Sequence, residues 1–161
     1  MTKNCATGPA AWLGLIFWLG GCFAAAWVGS RFQPGTWYAG LVKPALTPPN
    51  WVFGPVWTLL YILMGVAAWM VWQRRGRAGV ALALTLFLLQ LGLNVLWSYL
   101  FFGLQHPGLA LLDIIALWLA LLATLMAFRR LHRLAGGLLV PYLLWVSFAV
   151  YLNLQFWRLN P

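Results

Sequence analysis

The sequence predicts an all-α integral membrane protein, a bundle of five transmembrane helices. Of its 161 residues, 64% are hydrophobic and 7% charged, with one acidic residue in the whole chain, whereas a soluble domain carries about a quarter charged residues to hold its surface in water. Mean hydropathy is +0.87. The uncharged stretches each reach the length of about 20 residues that a helix needs to cross the hydrocarbon core. Short clusters of Arg, Gly and Pro separate them. The same composition excludes a soluble hydrolase built on paired carboxylates, since Asp113 has no second acid to work with. Cys5 and Cys22 supply neither a disulfide framework nor the spacing of a metal cluster.

The elements follow in chain order. Residues 10–30 form the first span and end at Arg31; 51–73 form the second and end at the Arg74, Arg75, Arg77 cluster. The third covers 78–103 and stops at Gln105-His106-Pro107. Residues 108–128 form the fourth, with Asp113 its only charge, and Arg129, Arg130, His132 and Arg133 close it; 134–157 form the fifth. In lipid each backbone group needs a partner within its own segment, which a helix provides. Leu19-Gly20-Gly21-Cys22 and Ala24-Ala25-Ala26 resemble leader-processing sites, but the apolar run continues past both to Val28, so this segment reads as a span. Gly21, Ala25 and Gly29 recur every fourth residue, a spacing that suits close helix approach within the bundle or at a dimer seam.

Basic residues set the orientation. Lys3, Arg74, Arg75, Arg77, Arg129, Arg130 and Arg133 fall on one side, and Arg31, Lys43 and Arg158 on the other. Seven against three places the N-terminus in the cytoplasm, with the C-terminus and loop 31–50 on the opposite side. The arginine runs are short and sit at membrane edges, so they read as topological anchors and no nucleic-acid partner is expected.

Polar side chains inside the membrane are costly and point inward. Gln90, Asn94 and Ser98 form one stripe on the third span; Tyr142, Trp145, Ala149 and Asn153 share a face of the fifth, and Trp57, Tyr61 and Met64 a face of the second. At about 1.5 Å of rise per residue, Trp57, Tyr61, Asn94 and Ala149 all lie roughly 9 to 15 Å below the outer ends of their spans. A shared cavity there would open toward loop 31–50, which is long for so compact a chain. Asp113 is expected to cap a helix or to pair with Arg31, Lys43 or Arg158. Trp12, Trp27, Trp51, Trp69, Trp72 and Trp157 read as interfacial anchors.

These residues resemble a known family. Residues 37–44, Trp-Tyr-Ala-Gly-Leu-Val-Lys-Pro, and 48–61, from Pro48-Pro49-Asn50-Trp51 through Trp57 to Tyr61, look like the signature of the translocator protein family, also called tryptophan-rich sensory protein or peripheral benzodiazepine receptor. Two more blocks agree: Gln90 to Ser98 with Phe101-Phe102, and Val140 to Trp145 running on to Ala149 and Asn153. The resemblance implies a five-helix bundle, often dimeric, that needs no cofactor or metal and binds porphyrins such as protoporphyrin IX and haem, sterols in some members, and isoquinoline or benzodiazepine-type drugs. It implies ligand contacts at Tyr38, Pro48, Trp57, Asn94, Ser98, Trp145 and Ala149. Trp57 and Trp145 match the pair implicated in light- and oxygen-dependent protoporphyrin breakdown, which would make them catalytic. The family's sterol element departs here: Leu154 and Gln155 stand where a tyrosine is expected, although Arg158 is kept.

The expected partners are therefore a tetrapyrrole, the bilayer and a second copy of the chain. A sensor or transporter leads, with a porphyrin-degrading enzyme, a small-molecule exporter and a membrane scaffold as alternatives.

Overall fold

The computed structural model describes residues 9–161, which exclude Lys3 and Cys5. Its described elements are α1 (Pro9–Gly29), α2 (Thr36–Gly40), α3 (Asn50–Trp72), α4 (Val80–Ser98) with a π-helical turn (Tyr99–Gly103), α5 (Pro107–Leu131), α6 (Arg133–Leu138) and α7 (Val140–Leu159). Among the described residues, five stretches are long and apolar enough to cross a membrane: α1, α3, α4 with its π turn, α5, and α6 with α7. The fifth span is broken at Leu139 because Pro141 has no N–H to continue the ladder. The fourth runs on to Leu131, so Arg129 and Arg130 form its last turn, where cations complement the helix dipole.

The core is aliphatic and aromatic, centred on Met64, Phe87, Leu121, Phe128 and Tyr142. Large side chains such as Leu13, Phe17, Leu82, Leu112 and Leu144 point outward, as lipid-facing residues should. The two ends of the bundle differ. At one, the Arg74 guanidinium donates to the Leu131 carbonyl, tying the loops after the second and fourth spans together. Desolvation, then the nearby Arg74 charge, holds His132 below the usual histidine range. At the other end the 31–49 loop meets the end of α7, where Asn160 bonds the backbone of Val42.

The small residues of the first span do not share one environment. Gly21 faces open space, Ala25 packs on the core, and a Cβ on Gly29 would stand 3.4 Å from Ser98 Oγ. Within the chain, Ala25 and Gly29 therefore serve internal packing while Gly21 does not. The first span comes close to the second at Gly65, where an added Cβ would lie 3.1 Å from Leu19 Cα. Gly65→Val is expected to push α1 and α3 apart, at a cost of roughly 1–3 kcal/mol or more. A lowered thermal midpoint in detergent checks this; an unchanged one would show that α1 can shift freely.

Two supposed anchors are packing residues. Trp69 Nε1 donates to the Ala11 carbonyl (2.8 Å), and the Trp72 ring covers Gly14 while the Arg75 guanidinium lies 4.1 Å from its centroid. Trp12, Trp27, Trp51 and Trp157 face outward, as expected of interfacial tryptophans.

Candidate ligand cavity

Under the 31–49 loop lies a cavity of about 600 Å³, within the range of small-molecule sites. The helices supply its walls in strips. α1 contributes Phe23, Ala26 and Gly29; α3 contributes Phe53, Gly54, Trp57 and Tyr61; α4 contributes Asn94, Trp97 and Ser98; α7 contributes Trp145, Phe148, Ala149 and Asn153. Each strip repeats every three to four residues, the spacing of one helix face.

The floor is a hydrogen-bonded relay. Tyr61 Oη donates to Asn94 Oδ1 at 2.7 Å, and Asn94 Nδ2 donates to Tyr142 Oη at 3.0 Å. The Trp57 ring sits 5.6 Å from Tyr61 and 6.1 Å from Tyr142, on the cavity side of this relay. One wall is fixed in the same way: Trp97 Nε1 donates to Asn153 Oδ1 (2.9 Å), and Asn153 Nδ2 donates to the Pro107 carbonyl (2.8 Å). With their polar atoms engaged, these side chains present flat apolar faces to an occupant.

The roof is aromatic. Trp97 stacks on Phe101 at 5.2 Å, and the π turn carries Phe101 and Phe102 under Tyr38, whose ring also meets Phe156 at 5.5 Å. Lys43 Nζ lies 5.3 Å from the Tyr38 centroid, within the reach of a cation–π contact. Burial pushes the Tyr38 hydroxyl above its usual range. No charged side chain lines the described cavity, and Arg31 lies 5.2 Å from the Trp27 ring.

Of the residues singled out in the sequence, Tyr38, Trp57, Asn94, Ser98, Trp145 and Ala149 line this cavity together. Pro48 does not; it is half-buried in the loop outside it. Gln90 belongs to the polar stripe but is fully buried off the cavity, with neither side-chain polar atom partnered. Asp113 is also buried, and its Oδ2 has no hydrogen-bond partner, so the expected pairing with Arg31, Lys43 or Arg158 is not formed through that atom. Arg31 and Lys43 lie over aromatic rings instead.

Neither histidine enters the cavity. His106 Nδ1 accepts from Leu109 N at the start of α5, and His132 ends that helix. Among the described residues there is no cluster able to hold a metal ion. Phe23, Phe53, Phe148 and Phe156 are wall residues that the sequence did not single out. A phenylalanine in an apolar span carries no polar signature, and only the helix packing turns it inward.

A five-span bundle enclosing an aromatic, uncharged chamber beneath a docked loop defines a multi-pass membrane protein with a built-in ligand-sized site. The comparisons are more specific: residues 14–158 match the TspO/MBR family model, and the chain belongs to that family. It is 46% identical over 156 residues to the tryptophan-rich protein TspO of Chlorobaculum tepidum, covering 92% of this chain and 97% of the relative. It is 42% identical to the tryptophan-rich sensory protein of Cereibacter sphaeroides, covering 92% of each. The human translocator protein is 43% identical over 145 residues, covering 87% of this chain and 83% of the relative.

Proposed function

We propose that this protein binds a tetrapyrrole, protoporphyrin IX or haem, in the cavity and acts as a sensor or transporter of that ligand. The observation that carries the reading is the chamber itself: wide, walled by Trp57, Trp97 and Trp145, and free of charge. A broad apolar macrocycle gains from burial against such faces. The uncharged walls suit the macrocycle and leave its carboxylates to the polar mouth, where Ser30, Gln33 and Asn50 stand. With no histidine in the cavity, haem would be held by packing alone. The relatives named sensory protein and translocator protein support a sensing or transport role. The basic clusters around Arg74 and Arg130 support a cytoplasmic N-terminus, with the loop and cavity mouth on the far side. A second copy of the chain in the bilayer is part of the same reading. So is occupancy of the chamber by a sterol or a benzodiazepine or isoquinoline-type drug.

The test is a titration of purified protein with protoporphyrin IX, following tryptophan quenching. Saturable quenching is expected in the native chain. In the Trp57→Phe, Trp145→Phe double variant the midpoint should weaken by roughly tenfold, the loss of two stacking faces at about 0.5–1.5 kcal/mol each. Equal, non-saturating quenching in both would mean partition into detergent and would end the proposal.

A second reading, light- and oxygen-dependent degradation of the porphyrin, is favoured by one observation: the Trp57 and Trp145 indoles line the same cavity. It requires that Trp145→Phe slow product formation under illumination more than it weakens binding. Equal effects reduce Trp145 to a contact residue.

A further inference from the structure

We propose that Asn160 is the latch of the cavity's cover, a positioning residue that sets how fast a ligand enters and leaves. The inference rests on the cavity reading above for its ligand but not for its mechanics. Asn160 sits just past the last turn of α7 and treats Val42 as a strand neighbour would. The Val42 amide donates to Asn160 Oδ1 at 2.9 Å, and Asn160 Nδ2 donates back to the Val42 carbonyl at 3.1 Å. The same Nδ2 donates to the Phe156 carbonyl at 3.0 Å, which anchors the carboxamide to the helix end. Both faces of one side chain thus clasp one loop residue 118 positions away in sequence.

The other hold on that part of the loop is a small aromatic patch, in which Tyr38, Trp37 and Leu41 pack on Phe101 and Phe156. Tyr38 plugs the aromatic roof, but behind α2 a cleft of about 390 Å³ separates Trp37 and Leu41 from Trp157 and the His106 turn. Trp37 and Leu41 thus reach the bundle on one side, through Phe101 and its cluster, and border open volume on the other. A segment held by one aromatic patch and one polar clasp, with open volume beside it, can swing as a unit when the clasp opens. Its motion would uncover the cavity at Tyr38, which is both roof and lining residue. The clasp lies at the exposed end of the bundle, where water competes for its bonds and each is worth only about 0.5–1.5 kcal/mol. That is the strength of a reversible closure.

The experiment uses a ligand-free reporter first. Ser98→Cys, which lines the cavity, is placed in a chain carrying Cys5→Ser and Cys22→Ala, and its labelling by a water-soluble maleimide is timed. Adding Asn160→Ala is expected to speed labelling on the order of tenfold. Val42→Pro, which removes the amide that Asn160 accepts, should do the same without touching α7; Leu41 already has the extended backbone, φ −69° and ψ 145°, that a residue before proline needs. Agreement of the two separates the latch from fraying of the helix end. Labelling unchanged in both overturns the inference. In the native cysteine background, protoporphyrin IX dissociation from Asn160→Ala should be faster by a similar factor. Faster labelling with unchanged dissociation would overturn the claim that the latch sets residence. A native chain that does not bind porphyrin would end the tetrapyrrole reading instead, with the labelling rates still deciding the latch.

Discussion

Replacing Ala149 with tryptophan is expected to lower protoporphyrin IX affinity by on the order of a hundredfold, the equivalent of about 2.8 kcal/mol. Ala149 stands on α7 one turn from Trp145 and one turn from Asn153, and all three line the chamber. A bulky ring there would grow into open volume and take the place of an occupant. Ala149 borders both the cavity and the core cluster around Met64 and Phe87, so any cost to the bundle is read separately from the loss of binding. The thermal midpoint is the control, and Ala149→Ser, which adds almost no volume, should bind like the native chain. Undiminished affinity in Ala149→Trp with an intact midpoint would place the ligand elsewhere.

The largest stability effect is expected at Asn94. Its carboxamide serves two phenols at once, accepting from Tyr61 and donating to Tyr142, all three being buried in the membrane interior. Asn94→Leu strands both hydroxyls. An unsatisfied buried group costs about 1–3 kcal/mol, while hydrogen bonds between membrane helices average nearer 0.6 kcal/mol because the unfolded helices also find partners. The expected loss is therefore roughly 1–4 kcal/mol, read as a lowered midpoint of denaturation in detergent. The diagnostic control removes every partner together: Tyr61→Phe, Asn94→Leu, Tyr142→Phe should recover most of the loss, since replacing all partners with apolar groups is nearly neutral. If Asn94→Leu alone is harmless, the relay is incidental. If the triple variant is worse than the single one, the cost lies in packing and not in stranded hydroxyls.

The two predictions probe parts of the site that were unequally legible. The strips containing Trp57, Asn94, Trp145 and Ala149 could be read as faces from spacing alone, and the amides among them mark the inward side because a polar side chain in hydrocarbon turns inward. Which polar residue serves the cavity could not. Asn94 and Gln90 are one turn apart on the same stripe, yet Asn94 meets two tyrosines and lines the chamber while Gln90 is buried off it without a partner. Asp113 is a similar case: its Oδ2 is buried without a partner, while Arg31 and Lys43 lie over aromatic rings. The tryptophans divided likewise. Trp12 and Trp51 face outward, whereas Trp69 and Trp72 pack α1 against α3.

What the sequence by itself determined was the class of protein. A chain with one acid and long uncharged stretches has no way to present a water-soluble surface, and its backbone can satisfy its own hydrogen bonds in lipid only as helices. Span number and the inward-facing stripes follow from the same constraint. The tertiary structure alone decided which stripes converge, which glycine brings two helices together, and how the loop is fastened. Those outcomes depend on pairings between residues far apart in the chain, such as Leu19 with Gly65 and Val42 with Asn160. No local pattern encodes them, because each partner alone is an ordinary leucine, glycine, valine or asparagine until the packing of the bundle sets it beside the other.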